Sequence, residues 1–141
     1  MHTYTFIVSL RANHIKDDLS FLTTLLSRQP STSWVAGDDR KTPKGTLLGG
    51  VRSNSYWVTT LTEEETSSET WQLEDFLEKS LAELAPHFKT LEAFIQSGGR
   101  LQFYISLYGA RNFGLIFSPD LMSRVAKAQF ELDLDIYPGP W

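Results

Sequence analysis

The chain of 141 residues contains no cysteine, which removes a disulfide framework, a CxxC redox pair, a cysteine nucleophile and a thiolate zinc site together. It has no apolar run near the roughly 18–20 residues that span a bilayer, so no membrane partner is expected. Net charge is small: 13 Lys+Arg against 17 Asp+Glu give −4 at pH 7, too weak and too acidic to suggest a nucleic-acid partner. Histidine is scarce, and His2, His14 and His87 are each expected to face solvent. No catalytic Gly-x-Ser-x-Gly, His-Glu-x-x-His or Ser-x-x-Lys arrangement occurs, and no Gly-x-Gly-x-x-Gly. The stretch from Gly37 to Gly45 lacks the Gly-Lys-Ser/Thr ending of a phosphate loop. The start, Met1-His2-Thr3-Tyr4, shows no basic region leading into an apolar stretch, and the expectation is a cytoplasmic chain without a secretory signal.

What is present is the composition of an ordinary globular protein, 41% hydrophobic and 21% charged. The length predicts one globular domain over 1–141, able to bury roughly 68–70% of its unfolded surface. Tyr4, Phe6, Val8 and Leu10 alternate with Thr5, Ile7 and Ser9, the period-2 pattern of a strand. Asn13 is the expected N-cap of a helix carrying Ile15, Leu19, Leu22, Leu25 and Leu26, ended by Pro30. From Gln29 to Asn54 periodicity fails, predicting a long loop with a short strand near Trp34. Ser55 to Leu61 reads as a strand. Thr66 and Glu69 fit a capping box for a helix with Leu73, Phe76, Leu77, Leu81 and Leu84. Pro86 bends it into a second helix, stopped by Gly98-Gly99.

Leu101 to Tyr108 alternates as a strand, and a second strand over Asn112 to Phe117 would make a hairpin around Gly109-Ala110. An odd-length loop would put the large aliphatic and Phe side chains on one face. Ser118-Pro119-Asp120 starts a helix with Ser118 as N-cap. The last strand, Phe130 to Tyr137, sets Phe130, Leu132, Leu134 and Ile136 against Glu131, Asp133, Asp135 and Tyr137, and Pro138-Gly139-Pro140 closes it. This order predicts an α+β fold, a single-layer, mostly antiparallel sheet with helices packed on one face and a more polar face opposite.

Two regions carry the candidate binding residues. The loop holds Trp34, Asp38, Arg40 and Lys44, with Tyr56 and Trp57 just after it; between Arg28 and Arg52 five basic residues stand against Asp38 and Asp39. Trp, Tyr and Arg are the side chains that most often anchor interfaces, and the three aromatics Trp34, Tyr56 and Trp57 serve equally well as core. The second region is the polar sheet face, with Tyr104 and the row Glu131, Asp133 and Asp135, whose carboxylates share one side of a strand. That row suits either a cation-balanced surface or paired acids, and without a cation nearby one of its pKa values would rise.

The succession Pro30-Ser31, Trp34, Gly37-Asp38, Arg40, Thr42-Pro43, Gly45 and Ser55-Tyr56-Trp57, then a leucine-rich helix ending near Pro86, resembles a bacterial family catalogued as domain of unknown function 4279. Phe117-Ser118-Pro119-Asp120-Leu121 and Leu132-Asp133-Leu134-Asp135-Ile136-Tyr137 carry the same resemblance. It implies a small bacterial α+β domain and no reaction. Trp34, Gly37, Asp38, Tyr56, Trp57 and Asp135 fall on its motif positions, where Gly37 would supply a positive φ and Asp38 would cap a turn.

The resulting expectation is an uncharacterised, non-catalytic module that binds another protein through Trp34 to Arg52 and the polar sheet face. An immunity-type protein that neutralises a toxin is one version. No catalytic residue, metal ligand or cofactor is assigned. The alternative is a small-molecule or metal-binding enzyme using Asp133 and Asp135, with Tyr104 or Arg40 positioning an anionic substrate.

Overall fold

A computed structural model describes residues 2–139. Met1, Pro140 and Trp141 lie outside that range, and with them the Pro140 of the expected closing turn. Its elements are β1 (Thr5–His14), α1 (Phe21–Leu26), β2 (Thr32–Trp34), β3 (Asp39–Lys41), β4 (Leu47–Val51), β5 (Ser55–Thr60), β6 (Thr66–Ser67), α2 (Leu73–Leu84), a 3₁₀ turn (Ala85–His87), α3 (Phe88–Gln96), β7 (Arg100–Gly109), α4 (Pro119–Ala128) and β8 (Phe130–Pro138). The main sheet runs β2-β5-β1-β7-β8, with β6 paired to the start of β1, while β3 and β4 form a separate hairpin. All pairs are antiparallel except β7 with β8. The fold is α+β, as the sequence predicts, with a mostly antiparallel sheet.

Alternation decides which side of each strand is buried. Phe6, Val8, Leu10 and Ala12 of β1 pair with Leu107, Ile105, Phe103 and Leu101 of β7, and all eight are essentially inaccessible. Trp57 of β5 joins them opposite Ala12. The helices send side chains to this same set: Phe76 of α2 packs edge-on against Phe6, Phe88 of α3 against Phe130, and Phe94 of α3 against His14. Thr23 of α1 accepts a hydrogen bond from the Trp57 indole at 3.0 Å.

Four expectations are overturned, each by tertiary pairing. The strand β1 does not stop before Asn13; full pairing with β5 and β7 carries it to His14, so Asn13 caps nothing and Ile15 stands 71% exposed. His14 does not face solvent but is buried. Its Nδ1 accepts the Lys16 and Asp17 backbone N–H groups at 3.1 and 2.9 Å, and its Nε2 lies 3.1 Å from the Ser97 carbonyl oxygen. That geometry stops the strand and turns the chain toward α1. The capping box is absent: Thr66-Ser67 pairs with β1, and α2 begins only at Leu73.

The largest departure is the hairpin. Asn112 to Phe117 forms no strand, because the place beside β7 is taken by β8 in parallel. A parallel neighbour needs a crossover, which α4 supplies. The segment instead lies along the core, with Phe113 stacked on Tyr4 at 5.0 Å. The Gln29 to Asn54 stretch, read as a loop with a short strand near Trp34, holds that strand as β2 but also folds into the β3–β4 hairpin. Ser118 caps α4 by accepting from the Leu121 N–H at 3.1 Å, and the 3₁₀ turn holds Pro86 between α2 and α3.

Candidate functional site

The strands that turn Phe6, Val8 and Leu10 inward turn Ile7, Ser9 and Arg11 the other way. On that side β1, β5 and β7 are half-exposed at every alternate position apart from Thr60 and Arg100, which are exposed. Register lines up Trp34 with Tyr56, Tyr56 with Asn13, Ser9 with Tyr104, and Tyr104 and Tyr108 with Asp133 and Tyr137. One sheet face thus carries aromatic and charged side chains from β2 across to β8.

These side chains bind one another. The Arg52 guanidinium lies 3.7 Å over the Trp34 ring, and Trp34 stacks on Tyr56 at 4.6 Å. Arg11 sits 4.0 Å over Tyr104 and 5.9 Å from the Tyr56 ring centre, then reaches Asp133 at 3.5 Å. Such cation–π stacking stabilises by about 0.5–1 kcal/mol at exposed sites. Asp135 accepts two phenol hydrogen bonds on one oxygen, from Tyr104 at 2.5 Å and Tyr137 at 2.7 Å. Tyr137 in turn stacks on Tyr108 at 4.9 Å. Glu131 accepts from Arg100 through two nitrogens and from Gln102.

The electrostatics follow from these bonds. The Tyr104 and Tyr137 hydroxyls, joined by the more distant Arg11 charge, hold the Asp135 carboxyl below its ordinary value. The same carboxylate raises the Tyr104 hydroxyl and pushes Tyr137 up to about 12. At neutral pH the trio is a carboxylate between two protonated phenols, an arrangement that accepts hydrogen bonds rather than donating a proton. The condition for a raised carboxylate, no cation nearby, is not met, since Arg11 and Arg100 cross from β1 and β7. Among the described residues, no three His, Asp or Glu side chains form a metal-holding group.

Of the nine predicted binding residues, Trp34, Tyr56, Tyr104, Asp133 and Asp135 come together on this face. Trp57 does not: one step along β5 from Tyr56, it points into the core and is 1% exposed. Asp38 caps the turn before β3, accepting from the Val35 N–H at 2.9 Å, while Gly37 takes φ +93°. Both roles match the structural reading of the motif. Arg40 and Lys44 are exposed, on β3 and on the tip of the β3–β4 hairpin. That hairpin also exposes Leu47, Leu48 and Val51.

A hollow of about 200 Å³ is rimmed by Trp34, Asp38, Tyr56 and Trp57 together with Ser20 and Thr23. The larger cavity, about 730 Å³ beside the start of α2, contains none of the nine. Sequence reasoning missed Arg11, Arg52 and Tyr108 as members of the row, and set Tyr137 on its side of the last strand without counting it among the binding residues. The signal for Arg11 was there: extending the β1 alternation through Ala12 puts Arg11 beside Ser9 on the polar side.

The fold and this face define an α+β domain whose sheet carries one buried apolar side and one half-exposed aromatic and charged side. The chain belongs to the family described as domain of unknown function (DUF4279), whose model matches residues 2–139, and the resemblance carried by the Trp34 to Gly45 loop and the last strand is borne out. No curated protein and no solved structure matches the chain. No helix among the described residues is long and apolar enough to cross a membrane.

Proposed function

We propose that the chain is a non-catalytic, single-domain protein-binding module, and that its contact surface is the half-exposed sheet face together with the β3–β4 hairpin. In this reading the helices form a layer on the buried face and leave the other face to the partner. The observation that carries it is the row Trp34, Tyr56, Arg11 and Tyr104, running into Asp133 and Asp135. These are large, rigid, mutually held side chains of the kinds that anchor interfaces at low entropic cost. The hairpin supports it as well, offering Leu47, Leu48 and Val51 to solvent beside Arg40 and Lys44. Two-stranded hairpins are marginal alone, and an apolar one gains most by being covered.

An immunity-type protein of a bacterial cytoplasm, blocking a toxin, is the version favoured by small size and a net charge of −4; its warrant is analogy. The test is affinity capture from host extract with the unmodified chain and with a folded Arg40→Ala/Leu48→Ala variant. A stoichiometric protein, lost with the variant and protecting Tyr56 and Tyr104 amides from hydrogen exchange, is the expected result. Capture unchanged by the variant, or protection confined to the helices, overturns the surface.

A further inference from the structure

The sheet has two edges, and they differ. Edge strands expose unpaired backbone N–H and C=O groups, and natural proteins blunt them by shortness, lysine, proline or bulges. The β2 edge is three residues long. The β8 edge is nine residues long, pairs among the described residues only with β7, and has no lysine, glycine or proline before Pro138.

Its side chains are also unfinished. Leu134 and Ile136 stand opposite Ile105 and Leu107, which are fully buried, yet they are 39% and 56% exposed themselves. The apolar layer therefore reaches β8 and stops uncovered. Beyond Ile136 an apolar groove of about 530 Å³ opens between Leu107, Phe113, Leu115 and Pro138. On the other side of β8, Arg100 neutralises Glu131, but among the described residues Asp133 and Asp135 share the one cation Arg11. Asp135 is otherwise held by two uncharged phenols.

These features select the occupant. A second copy fits poorly: in an antiparallel two-fold pairing about Leu134, Asp133 of one copy faces Asp135 of the other. Shifting the centre to Asp133 or to Asp135 sets that carboxylate against its own copy. Like charges directly opposite are destabilising. A strand with cations on the Asp133 side and aliphatic side chains on the Leu134 side meets both faces at once, and adds a ladder of main-chain hydrogen bonds.

We infer that the outer edge of β8 is a strand-addition site for an extended segment of another protein that alternates basic with aliphatic residues and seats one apolar side chain in the groove beside Ile136. This site shares Asp133 and Asp135 with the sheet-face surface proposed above, but its main-chain edge and its apolar groove lie outside that surface and do not depend on it.

The test uses the full chain and synthetic nine-residue peptides followed by fluorescence anisotropy and amide hydrogen exchange. One peptide alternates lysine with valine, a second alternates glutamate with valine, and a third keeps the lysines but has proline at its centre. The lysine–valine peptide is expected to bind and to protect β8 amides, with the other two at least about tenfold weaker. Ile136→Lys, at an exposed position, is expected to abolish this binding while leaving thermal stability and the sheet-face capture unchanged. Equal binding of the proline peptide would reduce the effect to bulk charge and overturn the inference. Protection away from β8, or a concentration-dependent dimer of the unmodified chain that Ile136→Lys dissolves, overturns it as well.

Discussion

The two faces of the one sheet are built by different rules, although their residues alternate along the same strands. On the buried face Phe6, Val8, Leu10, Phe103 and Ile105 are fully inaccessible, and what each position requires is volume. On the half-exposed face Arg11, Tyr56, Tyr104 and Asp135 are held by partners, and what each position requires is a particular chemical group. Neighbours in sequence therefore answer to different physics. Trp57→Ala should leave a large cavity and an unpaired Thr23 hydroxyl, costing about 3–5 kcal/mol. Tyr56→Ala loses one stacked ring and part of a cation–π contact, about 1 kcal/mol. Urea unfolding of both variants checks the contrast, and equal losses would break it.

His14 is polar yet lies on the buried face, as Ser55 and Thr59 of β5 also do. Both ring nitrogens are engaged, and its side chain is 0% exposed. His14→Phe keeps the ring but strands the Lys16 and Asp17 N–H groups. The expected cost is about 2 kcal/mol, with faster hydrogen exchange at those two amides as the local signature. Unchanged exchange would mean that the turn holds without the imidazole.

How much of this was legible follows from where the deciding information lies. The core of β1, β5 and β7 was readable because period-2 alternation is local. Ser118-Pro119 and Gly98-Gly99 mark helix ends by their own backbone chemistry, and both hold. The Asn112 to Phe117 segment was not readable. Its alternating Phe113, Leu115 and Phe117 suit a strand, but the only open place beside β7 goes to β8, which arrives from further along the chain. His14 misled for a similar reason: its partners come from α3 and the following turn. Half of the candidate site was visible as the acid row and the aromatics of β5. Arg11, which links them, was hidden by ending β1 four residues early.

Arg11 is the next test of the face. Arg11→Met keeps much of the aliphatic stem over Tyr104 but removes the charge facing Asp133. The pair is partly exposed, so the expected cost is about 0.5–1 kcal/mol. Raising salt should shrink the difference from the unmodified chain, since exposed pairs are screened. A salt-independent loss would show that packing over Tyr104, not charge, is what the position requires.

The smallest effect on stability at neutral pH, and the sharpest on titration, is expected from the Asp135 trio. Asp135 has a lowered value in the folded chain, so its contribution is present above its unfolded value and disappears as pH falls through the folded one. Tyr137, raised to about 12, and Tyr104, also raised, work in the opposite sense. Their contribution is intact below the ordinary phenol range near 10 and is lost as pH rises through the folded values. Asp135→Asn removes the charge that raises both phenols. Ultraviolet titration of tyrosinate should then show two tyrosines returning toward the ordinary range, while in Tyr104→Phe a single late-titrating tyrosine, Tyr137, remains. If Asp135→Asn leaves the late phase in place, the two hydroxyls are not sharing that carboxylate, and the half-exposed face loses the bond that ties β7 to the end of β8.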